Sequence, residues 1–136
     1  MDIATTWYIL SILLLFTQSI RDLVRTKVDE RYNYMLFGYA LFAFFASGGG
    51  LKELLFITVT TIVVGVALRG TMGKGDHQAL TALLLGNYAV GSITVFLALL
   101  AFGVLVMAVN LRLSGLDRAP FYPVLAVIQL TTAVLA

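Results

Sequence analysis

The chain has 136 residues, 60% of them apolar, and a mean hydropathy of +0.98; that length normally makes one domain, and that composition excludes a soluble globule in favour of an integral membrane protein. Nine Lys and Arg against seven Asp and Glu give a net charge of +2, and with no basic-aromatic stacking platform this balance does not indicate nucleic-acid binding. The lack of cysteine excludes disulfides, thiolate zinc sites and a cysteine nucleophile.

Six apolar segments follow one another, predicting an all-α bundle of about six transmembrane helices in a single domain spanning residues 1–136. The first, Ala4 to Ile20, lacks a positive leading region and a small-residue cleavage site, so it reads as a retained helix and not a signal peptide. The charged stretch Arg21 to Asn33 reads as the longest loop, its first part continuing helix one out of the bilayer. The second segment, Tyr34 to Ser47, is short for a crossing that needs roughly 20 residues. Gly48-Gly49-Gly50 is most simply a flexible turn, and Leu51 to Leu68 is the third segment. From Gln78 to Leu111 no charge occurs and the stretch is too long for one crossing; Gly86-Asn87 supplies a turn signal that divides it into Gln78 to Val90 and Gly91 to Leu111. A single kinked helix is the alternative. Pro120 to Ala136 closes the chain, with Pro120-Phe121-Tyr122-Pro123 at its start, where proline is tolerated because first-turn amides lack intrahelical partners.

If the helices alternate, one set of loops holds Arg21, Arg25, Lys27, Arg31, Arg69, Lys74, Arg112 and Arg118, and the other only Lys52. The positive-inside rule then places the first, third and fifth loops in the cytoplasm and both termini outside. The basic loops also suit contact with anionic membrane lipids.

Asp22 and Asp76 each stand where an apolar segment meets a basic loop, and both fall on the cytoplasmic side. A charge at membrane depth costs ~2.5–3.5 kcal/mol on insertion scales and is a functional candidate by default. Two carboxylates can divide the work of peptide hydrolysis: one, deprotonated, activates water, and the other, protonated, polarises the carbonyl, with no metal or cofactor required. Gly73 and Gly75 remove side chains beside Asp76 and open backbone angles for a close approach of substrate. Plainer explanations stand beside these. Asp76 can serve as the N-cap of a fourth helix, Asp22 as an interfacial charge paired with Arg21 or Arg25, and Pro120 to Pro123 as an ordinary helix start instead of a wall of the site. Asp29 and Glu30 are rivals for the first carboxylate, lying further into the polar loop. His77, the single histidine, adjoins Asp76, but neighbouring helical residues point in different directions and one histidine makes no zinc site.

The order of these features resembles the type IV prepilin peptidase family, including its archaeal preflagellin members. Asp22-Leu23-Val24-Arg25-Thr26-Lys27-Val28 is similar to the family's first aspartate motif, Gly73-Lys74-Gly75-Asp76 matches its GxGD motif, and Pro120-Phe121-Tyr122-Pro123-Val124-Leu125 resembles its late proline-rich motif. Val28-Asp29-Glu30 departs from the Ile-Pro-Asn of many members, and Gln78 stands where a lysine is common. The resemblance implies a membrane aspartyl endopeptidase with Asp22 and Asp76 catalytic and Gly73, Gly75, Pro120, Phe121 and Pro123 shaping the substrate site. Its substrate would be a prepilin-like precursor cut between a short basic leader and an apolar helix. No methyltransferase activity is expected, since the cysteine-rich segment of bacterial members is missing. The alternatives are a small transporter or assembly subunit using the same carboxylates, or a peptidase-like fold without activity.

Overall fold

The computed structural model describes residues 2–25, 30–68, 74–114 and 121–135. It is all-α, with helices α1 (Ile3–Arg25), α2 (Glu30–Ala46), α3 (Leu51–Ala67), α4 (Lys74–Ala89), α5 (Ile93–Ser114) and α6 (Tyr122–Leu135). All six expected segments are helices. Four begin earlier or end later than their apolar runs, because a helix carries on into polar sequence as long as its backbone hydrogen bonds do. The expected long loop from Arg21 to Asn33 is mostly helical, with α1 reaching Arg25 and α2 starting at Glu30.

Side-chain contacts fix the direction of each helix. Trp7 stacks on Tyr39 at 6.3 Å and the Arg21 guanidinium lies 5.3 Å over the Tyr32 ring, so α1 and α2 are antiparallel. Asn33 donates to Gln78, and Phe44 meets Tyr88 at 5.6 Å, so α2 and α4 run the same way. Thr61 lies 3.3 Å from Thr81 and Gly65 meets the His77 ring, making α3 antiparallel to α4, and the tight turn at 90–92 reverses α5 against α4. Tyr122 bonds Asn33 and Gln129 bonds Asn87, which sets α6 along α2 and α4. Odd helices therefore run one way and even helices the other. The ends that carry Arg21, Arg31 and Arg112 gather at one end of the bundle, called here the basic end.

At the opposite end two chain reversals use the same device. Gly49 N–H donates to Phe44 C=O and Gly48 N–H to Phe45 C=O; Ser92 N–H donates to Asn87 C=O and Gly91 N–H to Tyr88 C=O. Each is a Schellman closure that requires a left-handed residue, and Gly48 and Gly91 sit at φ +86° and +83°. The triple glycine is thus a hydrogen-bonded cap, finished by Gly50 N–H donating to the Glu53 carboxylate at 3.0 Å. The second reversal corrects the expected break at Gly86-Asn87. Both residues lie inside α4, and the hairpin turns at 90–92.

Helix α4 is the axis of the bundle. Its uncharged stretch from Gln78 is apolar or small on all sides, which suits a helix enclosed by neighbours, and Ala79, Leu80, Ala82, Leu83, Leu84 and Leu85 are all fully buried. The core continues through Trp7, Leu15, Leu36, Phe44, Phe96, Phe121 and Leu125. The outward faces are apolar as well: Leu13, Phe42, Phe56, Val63, Val66, Phe102 and Leu105 are exposed. Helices α1, over Ile3–Arg21, and α5, over Ile93–Leu113, are long and apolar enough to cross a membrane. In a soluble protein such helices would be mostly buried, whereas only 33% and 17% of these windows are.

Candidate functional site

Asp76 is the third residue of α4 and is 3% exposed. It lies inside the first turn and is not the residue before it, which replaces the N-cap expected from the sequence. A carboxylate in that turn gains roughly 0.3–1 kcal/mol from the positive end of the helix dipole. His77, next along, turns away to α3, where its ring lies against Gly65. Gly75 occupies the second position of α4. Gly73 and Pro120 lie outside the described residues, as do Val28 and Asp29.

Asp22 falls within α1, and its backbone position is defined although its side chain lies outside the described residues. Helical geometry relates it to Asp76. The Trp7 indole N–H donates to Asn87 Oδ1 at 3.2 Å, so these two positions face each other across α1 and α4. From Trp7 the stripe of buried positions on α1 continues through Ser11 and Gln18, both 1% exposed or less. At 3.6 residues per turn Asp22 occupies the next place on that stripe, about 60° from Trp7 around the axis. On α4, Asp76 lies only about 20° from Asn87, on the stripe that also carries Leu80 and Leu83. The rise from the Trp7–Asn87 contact is about 22 Å to Asp22 and about 16 Å to Asp76, so the two aspartate positions differ by about one turn along the axis. Both positions lie at the basic end, on interior stripes of two antiparallel helices; α1 packs chiefly on α6 and α2 and reaches α4 through the Trp7 ring.

At the same end of the bundle the structure assembles a polar cluster that the sequence did not announce. Asn33 is 2% exposed and Tyr122 1% exposed. The Tyr122 hydroxyl donates to Asn33 Oδ1 at 2.9 Å, and Asn33 Nδ2 donates more weakly to Gln78 Oε1 at 3.4 Å, tying the starts of α6, α2 and α4 together. Gln18 stands at about the axial level of Asp76. A cavity of about 140 Å³ opens among Asn33, Tyr34, Phe37 and Gln78, with room for several water molecules at ~30 Å³ each. Phe121 is buried at the N-cap position of α6, its carbonyl accepting Leu125 N–H, and Pro123 follows in the first turn, half-buried. That part of the proline-rich segment is a regular helix start.

Among the described residues no group of three or more His, Asp or Glu is arranged to hold a metal ion. Asn33, Gln78 and Tyr122 lie on three different helices and carry no local signal; the one pattern on offer is the spacing of Trp7, Ser11, Gln18 and Asp22 on α1, which marks the interior face of that helix. They form a polar stripe on one face of an otherwise apolar segment. Comparisons with protein-family models, with curated proteins and with solved structures find no match for the chain.

Proposed function

We propose that the chain is a multi-pass membrane aspartyl endopeptidase of the prepilin-peptidase type, with Asp22 and Asp76 as the water-activating pair. The observation that carries the reading is that both aspartate positions lie at one end of an apolar bundle, on the interior stripes of α1 and α4, with Asp76 only 3% exposed. The apolar exterior supports a bilayer setting for all six helices, and the eight-to-one loop charge bias supports a cytoplasmic basic end.

In this reading one carboxylate takes a proton from water as the water oxygen attacks the scissile carbonyl carbon. The other carboxyl group donates its proton to the carbonyl oxygen. Collapse of the gem-diol intermediate breaks the C–N bond: the departing amine takes the proton held by the first aspartate, and one gem-diol hydroxyl returns its proton to the second, which restores the starting pair. The chain's own groups complete this cycle without a cofactor. Gly75 at the start of α4 leaves the backbone beside Asp76 open to an extended peptide, while Phe121 and Pro123 act only through the start of α6. The substrate is a prepilin-like precursor whose basic leader stays in the cytoplasm while its apolar helix lies in the membrane, so the scissile bond falls at the depth of the aspartates. Purified protein incubated with a panel of leader-plus-helix peptides should give a product cut at that junction. Failure to cut any of them, by a protein that remains folded, would remove the peptidase reading in favour of a non-enzymatic membrane protein.

A further inference from the structure

At the end of the bundle away from the aspartates lies a second buried polar group, made of Trp7, Ser11, Asn87, Ser92 and Gln129, each 3% exposed or less. Asn87 Oδ1 accepts from the Trp7 indole at 3.2 Å, from Ser92 Oγ at 3.1 Å and from Gln129 Nε2 at 3.3 Å. Asn87 Nδ2 donates to Gln129 Oε1 at 2.8 Å, and Gln129 Nε2 donates to Ser11 Oγ at 3.0 Å. The group therefore joins α1, α4, the turn after α4, and α6. None of its members is charged, and their bonds are made to one another or, for the Ser11 hydroxyl, to the Tyr8 carbonyl, so it has the form of a joint and not of a ligand site.

Beside it, Gly86 lets the Trp7 ring lie directly on the α4 backbone, and a Cβ at that position would overlap the ring. The ring cannot move aside cheaply, because it is fully buried and stacked on Tyr39 with the planes 7° apart. Sliding or turning α1 against α4 would break the indole bond and push the ring into the α4 backbone. From Trp7 to Asp22, and from Gly86 back to Asp76, neither helix contains a proline or a further glycine. A register set at one end of two such rods is carried to the other.

We propose that Trp7, Gly86, Asn87 and Gln129 are positioning residues: they form a clamp that sets the axial and rotational register of α1 against α4, and through it the separation of Asp22 from Asp76. This rests on the peptidase reading for its purpose but not for its geometry. A displacement of about 1 Å can cost ~10²-fold in rate, so a remote clamp of this kind acts on turnover without touching substrate.

The lack of native cysteine permits a direct test. Spin labels placed in the Asp22→Cys/Asp76→Cys variant report the distance between the two positions, and the measurement is repeated with Gly86→Ala added. The clamp predicts a shifted or broadened distance distribution. It also predicts, in the enzyme with both aspartates intact, a fall in cleavage rate of roughly 10²-fold for Gly86→Ala. Trp7→Phe in the Gly86→Ala background should recover part of both, because a smaller ring relieves the overlap. Trp7→Phe alone removes the bond that ties α1 directly to α4, so it should itself broaden the distance distribution. An unchanged distance in a folded Gly86→Ala protein overturns the clamp. If Gly86→Ala does not accumulate, Gln129→Leu, which cuts the tie to α6, carries the test, and an unaltered distance there overturns it as well. Absence of cleavage by the parent protein removes the peptidase reading alone, and the distances still decide the clamp.

Discussion

Asp76 and Asp22 share the basic end of the bundle with buried, uncharged polar side chains. Asn33, Tyr122 and Gln78 link three helix starts at the basic end, and the Tyr122 hydroxyl supplies the shortest bond between them. Tyr122→Phe removes that donor from a buried acceptor while keeping the ring. The expected result is a loss of about 1–3 kcal/mol in unfolding free energy, read by denaturant unfolding in detergent; unchanged stability would show that the bond contributes nothing net. The aspartates were legible in the sequence because a carboxylate in an apolar chain is conspicuous. The amides and the tyrosine were not, because Asn33, Gln18, Asn87 and Gln129 carry no charge and scatter along the chain, and only the folded bundle brings them together. Gly86-Asn87 is a further case of the same kind. As a dipeptide it signals a turn, yet here the glycine admits the Trp7 ring and the amide completes a buried network, so tertiary contact outweighs local preference.

Helix boundaries follow their caps more closely than their apolar runs. Gly48 and Gly91 end α2 and α4 through left-handed backbone that other residues adopt at a cost. At the start of α1, Asp2 Oδ1 accepts the Thr5 N–H at 2.8 Å, and this bond holds the exposed Asp2 carboxyl below its ordinary range. Its folded pKa lies below its unfolded one. The contribution is therefore complete above the ordinary aspartate value of about 3.9, and it is lost as pH falls through the lower folded value. Thermal unfolding followed from neutral pH downwards should show this acid-side loss in the parent protein. The loss should shrink in Asp2→Asn, which keeps a capping oxygen but does not titrate; identical pH curves would rule out this role for Asp2. The element order was legible throughout because each helix is announced by an apolar run. The ends were not, because Lys74 to His77 and Glu30 to Asn33 are polar residues that the helices nevertheless include.

At the scale of the whole molecule, two asymmetries define the account: an apolar exterior, and basic residues collected at one end. The first was visible in composition and the second in the spacing of Lys and Arg. The approach of α1 to α4 was not, since it depends on a contact between residues far apart in sequence, Trp7 and Asn87. The orientation can be checked by single-cysteine labelling. An impermeant maleimide applied to intact cells should label Ser47→Cys, in the turn after α2, and should reach Arg112→Cys only after the membrane is opened. The reverse pattern would place the basic end outside and remove the cytoplasmic site. The most direct measurement of the central claim is cleavage of a leader-plus-helix peptide by Asp22→Asn, Asp76→Asn and the double variant, each confirmed to be folded in the membrane. Groups that act as one unit lose function non-additively, so both single variants should fall to the same floor as the double. Full cleavage by either single variant would contradict a shared aspartate pair.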